Sequence, residues 1–251
     1  MRGNCARQTS RTIVRTQESD WIVRQNTALE ITESILRGIR VVHRTERFVV
    51  VEKPSGVLSV PGIGPEKADC VVSRLHTAFY TGKADSAPLA LGQLIVHRLD
   101  MDTSGLMVVA LDAAAQRELS LQFEERKPEK RYVALVAGLV RDDEGTIDLP
   151  MRLDVDNRPY QIIDHAQGRA ATTHFRVLAR ETDRTRIEFR PFTGRTHQLR
   201  VHACYGLGHS ILGDPLYNGA PAERLMLHAS YLSFLAPGGK ARLEFNSPPP
   251  F

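Results

Sequence analysis

Short apolar runs bounded by turn residues dominate the pattern along this chain. They fall at 48–53, 94–96, 106–111, 132–136, 172–178, 185–192, 225–232 and 241–245. Runs of this length, with β-branched and aromatic content, predict strands. Pro54-Ser55-Gly56 closes the first as a turn. Helical spacing occurs in three places. Val71, Leu75, Ala78 and Phe79 recur at the helix period and predict a helix over 67–80. Asp112 can cap a second helix through Phe123. A third covers 197–205, with Gly206 in the C-cap position. Residues 141–170 read as irregular hairpins, and the charge cluster 124–131 as an exposed stretch of mixed sign. Strands outnumber helices and do not alternate regularly with them, so the expected fold class is α+β rather than doubly wound.

Composition narrows the class. With 251 residues, 42% hydrophobic and 25% charged, the chain has the make-up of a soluble protein. No apolar run approaches the roughly eighteen residues of a membrane span. The net charge of +4 decides little, but its distribution adds something. Between 189 and 212 there is no acid, while Arg190, Arg195 and Arg200 stand among His197, His202 and His209. That is either an ordinary solvated face or a surface for a polyanion. Cys5, Cys70 and Cys204 are odd in number and far apart, which argues against a disulfide framework and for a reducing, cytoplasmic setting. The first seventeen residues hold four arginines, no acid and no apolar core. They read as a basic arm or an early start, ahead of a transit peptide. Residues 1–40 are left as an unassigned extension without an S4 RNA-binding pattern, and 41–251 as the catalytic domain. Gly62-Ile63-Gly64 has no following helix and no GK[ST], so neither a P-loop nor a Rossmann fingerprint supports an ATPase or dehydrogenase.

The most telling stretch is His97-Arg98-Leu99-Asp100-Met101-Asp102-Thr103-Ser104-Gly105-Leu106. Apolar runs on both sides hold it against the core, and a carboxylate fixed there needs a reason. This stretch resembles the signature of the RluA-type RNA pseudouridine synthases. Further stretches are similar to that family: Lys53-Pro54-Ser55-Gly56, Val60-Pro61-Gly62, Gly194-Arg195-Thr196-His197-Gln198-Leu199-Arg200, Leu212-Gly213-Asp214-Pro215-Leu216-Tyr217 and Leu225-Met226-Leu227-His228-Ala229. The resemblance covers about 43–247. It implies the pseudouridine-synthase fold, a curved, mostly antiparallel sheet with flanking helices and a central RNA-binding cleft. The uridine-to-pseudouridine reaction it implies gains and loses no atoms, so neither cofactor nor metal is expected, and a monomer is the default expectation.

The resemblance implies roles as well. Asp100 is the catalytic residue; it either attacks C1′ of uridine or removes a ribose proton, and sequence does not choose between these. Arg195 pairs with it, and Tyr132 stacks on the uracil. Arg98 fills the space left by the flipped base. His97, Thr103, Leu227, His228 and Arg200 complete the expected substrate contacts, and Leu-Gly-Asp-Pro-Leu-Tyr is read as scaffold. Similar enzymes modify a large-subunit ribosomal RNA loop and a tRNA anticodon stem-loop, so either or both are the expected partners. Where the family carries a more basic pair, this chain has Tyr160-Gln161. Two rivals remain. One is a silent RNA-binding factor on the same scaffold. The other is a nucleosidase, which needs a second carboxylate as acid.

Overall fold

The computed structural model describes residues 34–80 and 90–251. Cys5 and most of the expected N-terminal extension lie outside them. Eleven strands are described: β1 (Arg40–Arg44), β2 (Phe48–Lys53), β3 (Ser104–Ala110), β4 (Glu129–Ala137), β5 (Glu144–Asp148), β6 (Met151–Leu153), β7 (Gln161–Ile163), β8 (Thr172–Arg180), β9 (Arg184–Pro191), β10 (Leu227–Leu235) and β11 (Arg242–Asn246). Nine of them form one sheet in the order β1-β2-β3-β10-β4-β9-β8-β5, with β11 beside β10. β6 and β7 make a separate hairpin. The described pairings are antiparallel except β3–β10. A mixed α+β fold with a large, mostly antiparallel sheet and few helices is what the sequence predicts.

Strand periodicity builds two layers. Val49, Val51, Met107 and Val109 point to one face and pack against Val71, Val72 and Leu75 of α1 (Val71–Tyr80). Phe48, Val50, Leu106, Val108 and Ala110 point to the other and meet Ala115 and Leu119 of α2 (Ala113–Glu124). Both faces are covered, which explains the unbroken apolar runs of β2 and β3. Leu36 and Ile39, placed by sequence in the extension, join the first of these cores, and β1 already starts at Arg40. Asp112 caps α2 as expected, its carboxylate accepting from the Ala115 amide at 2.7 Å. No helix among the described residues is long and apolar enough to cross a membrane.

The third helix, expected over 197–205, is present with a change of winding: α3 (Gln198–Val201) continues directly into a π-helical stretch over His202–Gly206. Gly206 does not adopt the left-handed C-cap conformation. It is needed for packing, since a Cβ there would stand 2.5 Å from Ile147 Cγ2. Gly105 has a different reason. Its φ is 113°, and a Cβ would meet the Ala229 carbonyl oxygen at 2.3 Å, so the parallel β3–β10 contact requires glycine.

Candidate active site

A cleft of about 800 Å³ opens over the middle of the sheet. Tyr132 on β4 and Leu227 at the start of β10 are in its floor, and segments 96–100, 123–130 and 190–200 form its walls. Asp100 sits in the loop leading into β3, its side chain 20% exposed to the cleft.

That loop is pinned by the segment leaving β2. The Ser59 hydroxyl donates to the Leu99 carbonyl at 2.6 Å and accepts from the Leu99 amide at 3.0 Å. Ser55 Oγ donates to the Asp102 carbonyl at 2.7 Å, and the Gly56 amide to Met101 O at 3.0 Å. Lys53, fully buried, donates to the carbonyls of Pro54, Val57 and Met101 at 2.9, 2.6 and 2.6 Å. Burial pulls the Lys53 amine down to about 7, while Asp102 and Asp100 favour its charged form. Three carbonyl acceptors are satisfied together only by the ammonium. The Lys-Pro-Ser-Gly stretch is thus the clamp that holds Asp100 in place. Lys53→Met is expected to cost about 2–4 kcal/mol by leaving buried carbonyls without donors. With the loop loosened, kcat should fall on the order of 10²-fold. Urea unfolding and steady-state turnover check both.

The cation beside Asp100 is Arg200, not Arg195. Arg200 Nη1 lies 3.9 Å from the Asp100 carboxylate, and the Arg200 side chain is 3% exposed. Asp214 holds it through two hydrogen bonds, at 2.8 and 2.6 Å. Asp214 also caps its own turn by accepting from the amides of Leu216 and Tyr217. Burial opposes the Arg200 charge, but Asp214 first and Asp100 second more than offset it, leaving its pKa above the ordinary arginine value. Arg195 is turned the other way. Its Nε donates to the Ala170 carbonyl at 3.2 Å, and burial with Arg169 and Arg126 nearby lowers its pKa. The reason is local. His197 takes a left-handed φ of 55°, so helical spacing does not carry through the turn and the two arginines leave it on different sides. Tyr217 supports this bend: its hydroxyl bonds His197 Nδ1 at 2.8 Å, and Arg200 lies over its ring at 5.1 Å. Arg200 was expected as a substrate contact; the structure makes it a buried ion partner.

The other expected residues divide. Tyr132 faces the cleft close to Asp100, and burial, with the carboxylate adding, pushes its hydroxyl well above the usual tyrosine range. Arg98 is exposed at the cleft, and Thr103 is a buried part of its wall. His97 is already engaged. Its Nε2 accepts from the Val108 amide at 3.0 Å, its ring stacks on Phe123 at 4.4 Å, and burial, with Lys130 nearby, lowers it to about 3. His228 is fully buried between Ser104 Oγ (2.7 Å) and Ser247 Oγ (2.9 Å), away from the cleft lining. His228 is structural, both ring nitrogens being spent on internal hydrogen bonds, whereas His97 has one nitrogen so engaged and also lines the cleft. Gln161 is likewise buried, its backbone N–H donating to the Tyr217 hydroxyl at 2.9 Å.

Sequence reasoning missed Asp214 and Tyr217, read as scaffold, and the place of the mixed cluster at the cleft. Arg126, Lys127 and Lys130 line the cleft with Arg98, Arg190 and Arg195, and Glu124 and Glu129 stand among them. An acid inside the apolar Leu-Gly-Asp-Pro-Leu stretch was the available signal for Asp214. Chemically, the site offers a solvent-facing carboxylate beside a locked arginine, an aromatic ring, and a cationic rim suited to phosphates. Asp214 is fully engaged by Arg200 and is not a second acid.

A family model described as RNA pseudouridylate synthase matches residues 47–204. The dual-specificity RNA pseudouridine synthase RluA of Yersinia pestis is 45% identical over 213 residues, covering 83% of this chain and 95% of that protein. The Escherichia coli K12 protein of the same name is 43% identical over 216 residues, covering 84% and 93%. Among solved structures, human RNA pseudouridylate synthase domain containing 1 superimposes with a TM-score of 0.68 at 28% identity, covering 86% of this chain and 85% of the other.

Proposed function

The chain belongs to the RNA pseudouridylate synthase family and isomerises uridine to pseudouridine in RNA, and we propose that it does so with Asp100 as the catalytic group and Arg200 as its partner. The observation that carries this is the 3.9 Å approach of a buried, Asp214-clamped arginine to a cleft-facing carboxylate. The reaction breaks N1–C1′, turns the base and joins C5 to C1′. It gains and loses no atoms overall, so one carboxylate at C1′ or at the ribose can carry it. Tyr132 lies against the uracil, and Arg98 takes the place of the flipped base. The rim of Arg126, Lys127, Lys130, Arg190 and Arg195 takes the phosphates of the loop.

The relatives are named for dual specificity. We assign this chain the same breadth: a large-subunit ribosomal RNA loop and a tRNA anticodon stem-loop, modified in the cytoplasm by a monomer. The 43–45% identity to relatives named for dual specificity, over most of both chains, supports this breadth. Carbodiimide mapping of total RNA from cells with and without the gene tests it. Loss of reverse-transcription stops in both RNA classes is expected. Loss in one class alone would narrow the assignment to that RNA.

A further inference from the structure

One apolar group in the cleft has no part in the chemistry above. Phe192 lies between Pro191 and the buried Thr193, and 53% of its surface is exposed at the cleft wall. Arg126, at the end of α2, holds its guanidinium over the ring at 4.9 Å from the centroid. Arg126 is itself exposed and sits at a left-handed φ of 58°. That cation approaches one side of the ring, and more than half of the residue's surface remains accessible at the cleft. Lys127, Lys130 and Arg195 line the same wall, and Lys130 Nζ is the nearest group to Gly194 in the turn that follows Phe192.

A bare aromatic face among cations suits one kind of occupant, a nucleobase with phosphates on either side. The base takes the ring and the phosphates take the cations. The target uridine belongs deeper, at Tyr132 and Asp100, so the base on Phe192 is a neighbour of that uridine. We propose that Phe192, backed by Arg126, is a stacking platform for an unpaired base flanking the uridine that enters the cleft. This rests on the cleft being the RNA site; it adds a positioning residue that grips the loop while Asp100 acts.

The test uses the full chain and an anticodon stem-loop RNA carrying 2-aminopurine beside its loop uridine. Phe192→Ala is expected to weaken binding roughly five- to a hundredfold, the range for losing one stacked base. Phe192→Trp should retain the affinity. The rate at saturating RNA and the unfolding midpoint should match those of the wild type, so that the change falls in KM and not kcat. Wild-type and Trp proteins should quench the 2-aminopurine on binding, and the Ala protein should not. Unchanged affinity in Phe192→Ala, or a fall in kcat that Trp does not restore, would overturn the platform. Its failure is separable from failure of the Asp100 reading, because this test reads binding and that one reads turnover. A wild-type protein that binds and quenches the probe without isomerising it would support the platform and count against Asp100.

Discussion

Replacing Arg200 with methionine is expected to destabilise the protein by about 3–5 kcal/mol and to abolish useful turnover. The Arg200 side chain is 3% exposed, and the Asp214 side chain that clamps it is 1% exposed. Removing Arg200 leaves a buried carboxylate without its cation, and removes the positive neighbour of Asp100. Arg200→Lys should fail as well, since an ammonium cannot make the paired contact with Asp214 and reach Asp100. Arg195→Met is the informative control. Because the Arg195 side chain makes a single hydrogen bond among the described residues, to the Ala170 carbonyl, its loss should change stability by no more than about 0.5 kcal/mol. It should weaken RNA binding with a salt slope reduced by about one, as for a lost phosphate contact. Urea unfolding separates the two arginines directly. A combined Arg200→Met, Asp214→Asn protein, which removes the unpaired charge and keeps an acceptor for the Leu216 and Tyr217 amides, should regain part of the stability without regaining turnover, which distinguishes the structural role of the pair from its service to Asp100.

Much of this was legible in sequence, and the failures share a cause. β2 spans the predicted 48–53, and Asp112 caps α2 where the pattern placed it. These features rest on local physics, a period and a cap. The α+β class followed from the count and order of such elements. What did not follow was the identity of the arginine beside Asp100. Arg195 and Arg200 lie in one motif, and only the left-handed His197 between them decides which reaches the carboxylate. Asp214 was hidden for a related reason: its partner lies fourteen residues away, across a turn. His97 and His228 stand within recognisable stretches, yet Nε2 of the first and both ring nitrogens of the second are taken by internal hydrogen bonds that no spacing reveals. The Lys53 clamp is a contact between β2 and a loop 48 residues later, made largely to backbone carbonyls, which side-chain patterns do not encode.

Asp100→Asn is expected to have the largest effect on chemistry with the smallest effect on structure. The amide keeps the size of the side chain but cannot attack C1′ or accept a ribose proton, so turnover should fall at least about 10³-fold. Stability should change by no more than about 1 kcal/mol, because the Asp100 contact with Arg200 is long and partly solvated and Asp214 still holds the guanidinium. RNA affinity should stay near that of the wild type, since the cationic rim is untouched. A silent RNA-binding factor on this scaffold would show the same binding but no turnover in either protein. A nucleosidase would release free uracil, which an isomerase does not.

Joining C5 to C1′ expels the hydrogen at C5, so tritium release from RNA labelled at uridine C5 reports the reaction itself. Purified wild-type protein should release tritium from bulk RNA, while Asp100→Asn, folded and binding the same RNA, should release none above background. Substantial release by the Asp100→Asn protein would contradict the assignment of Asp100 as the group on which the isomerisation depends.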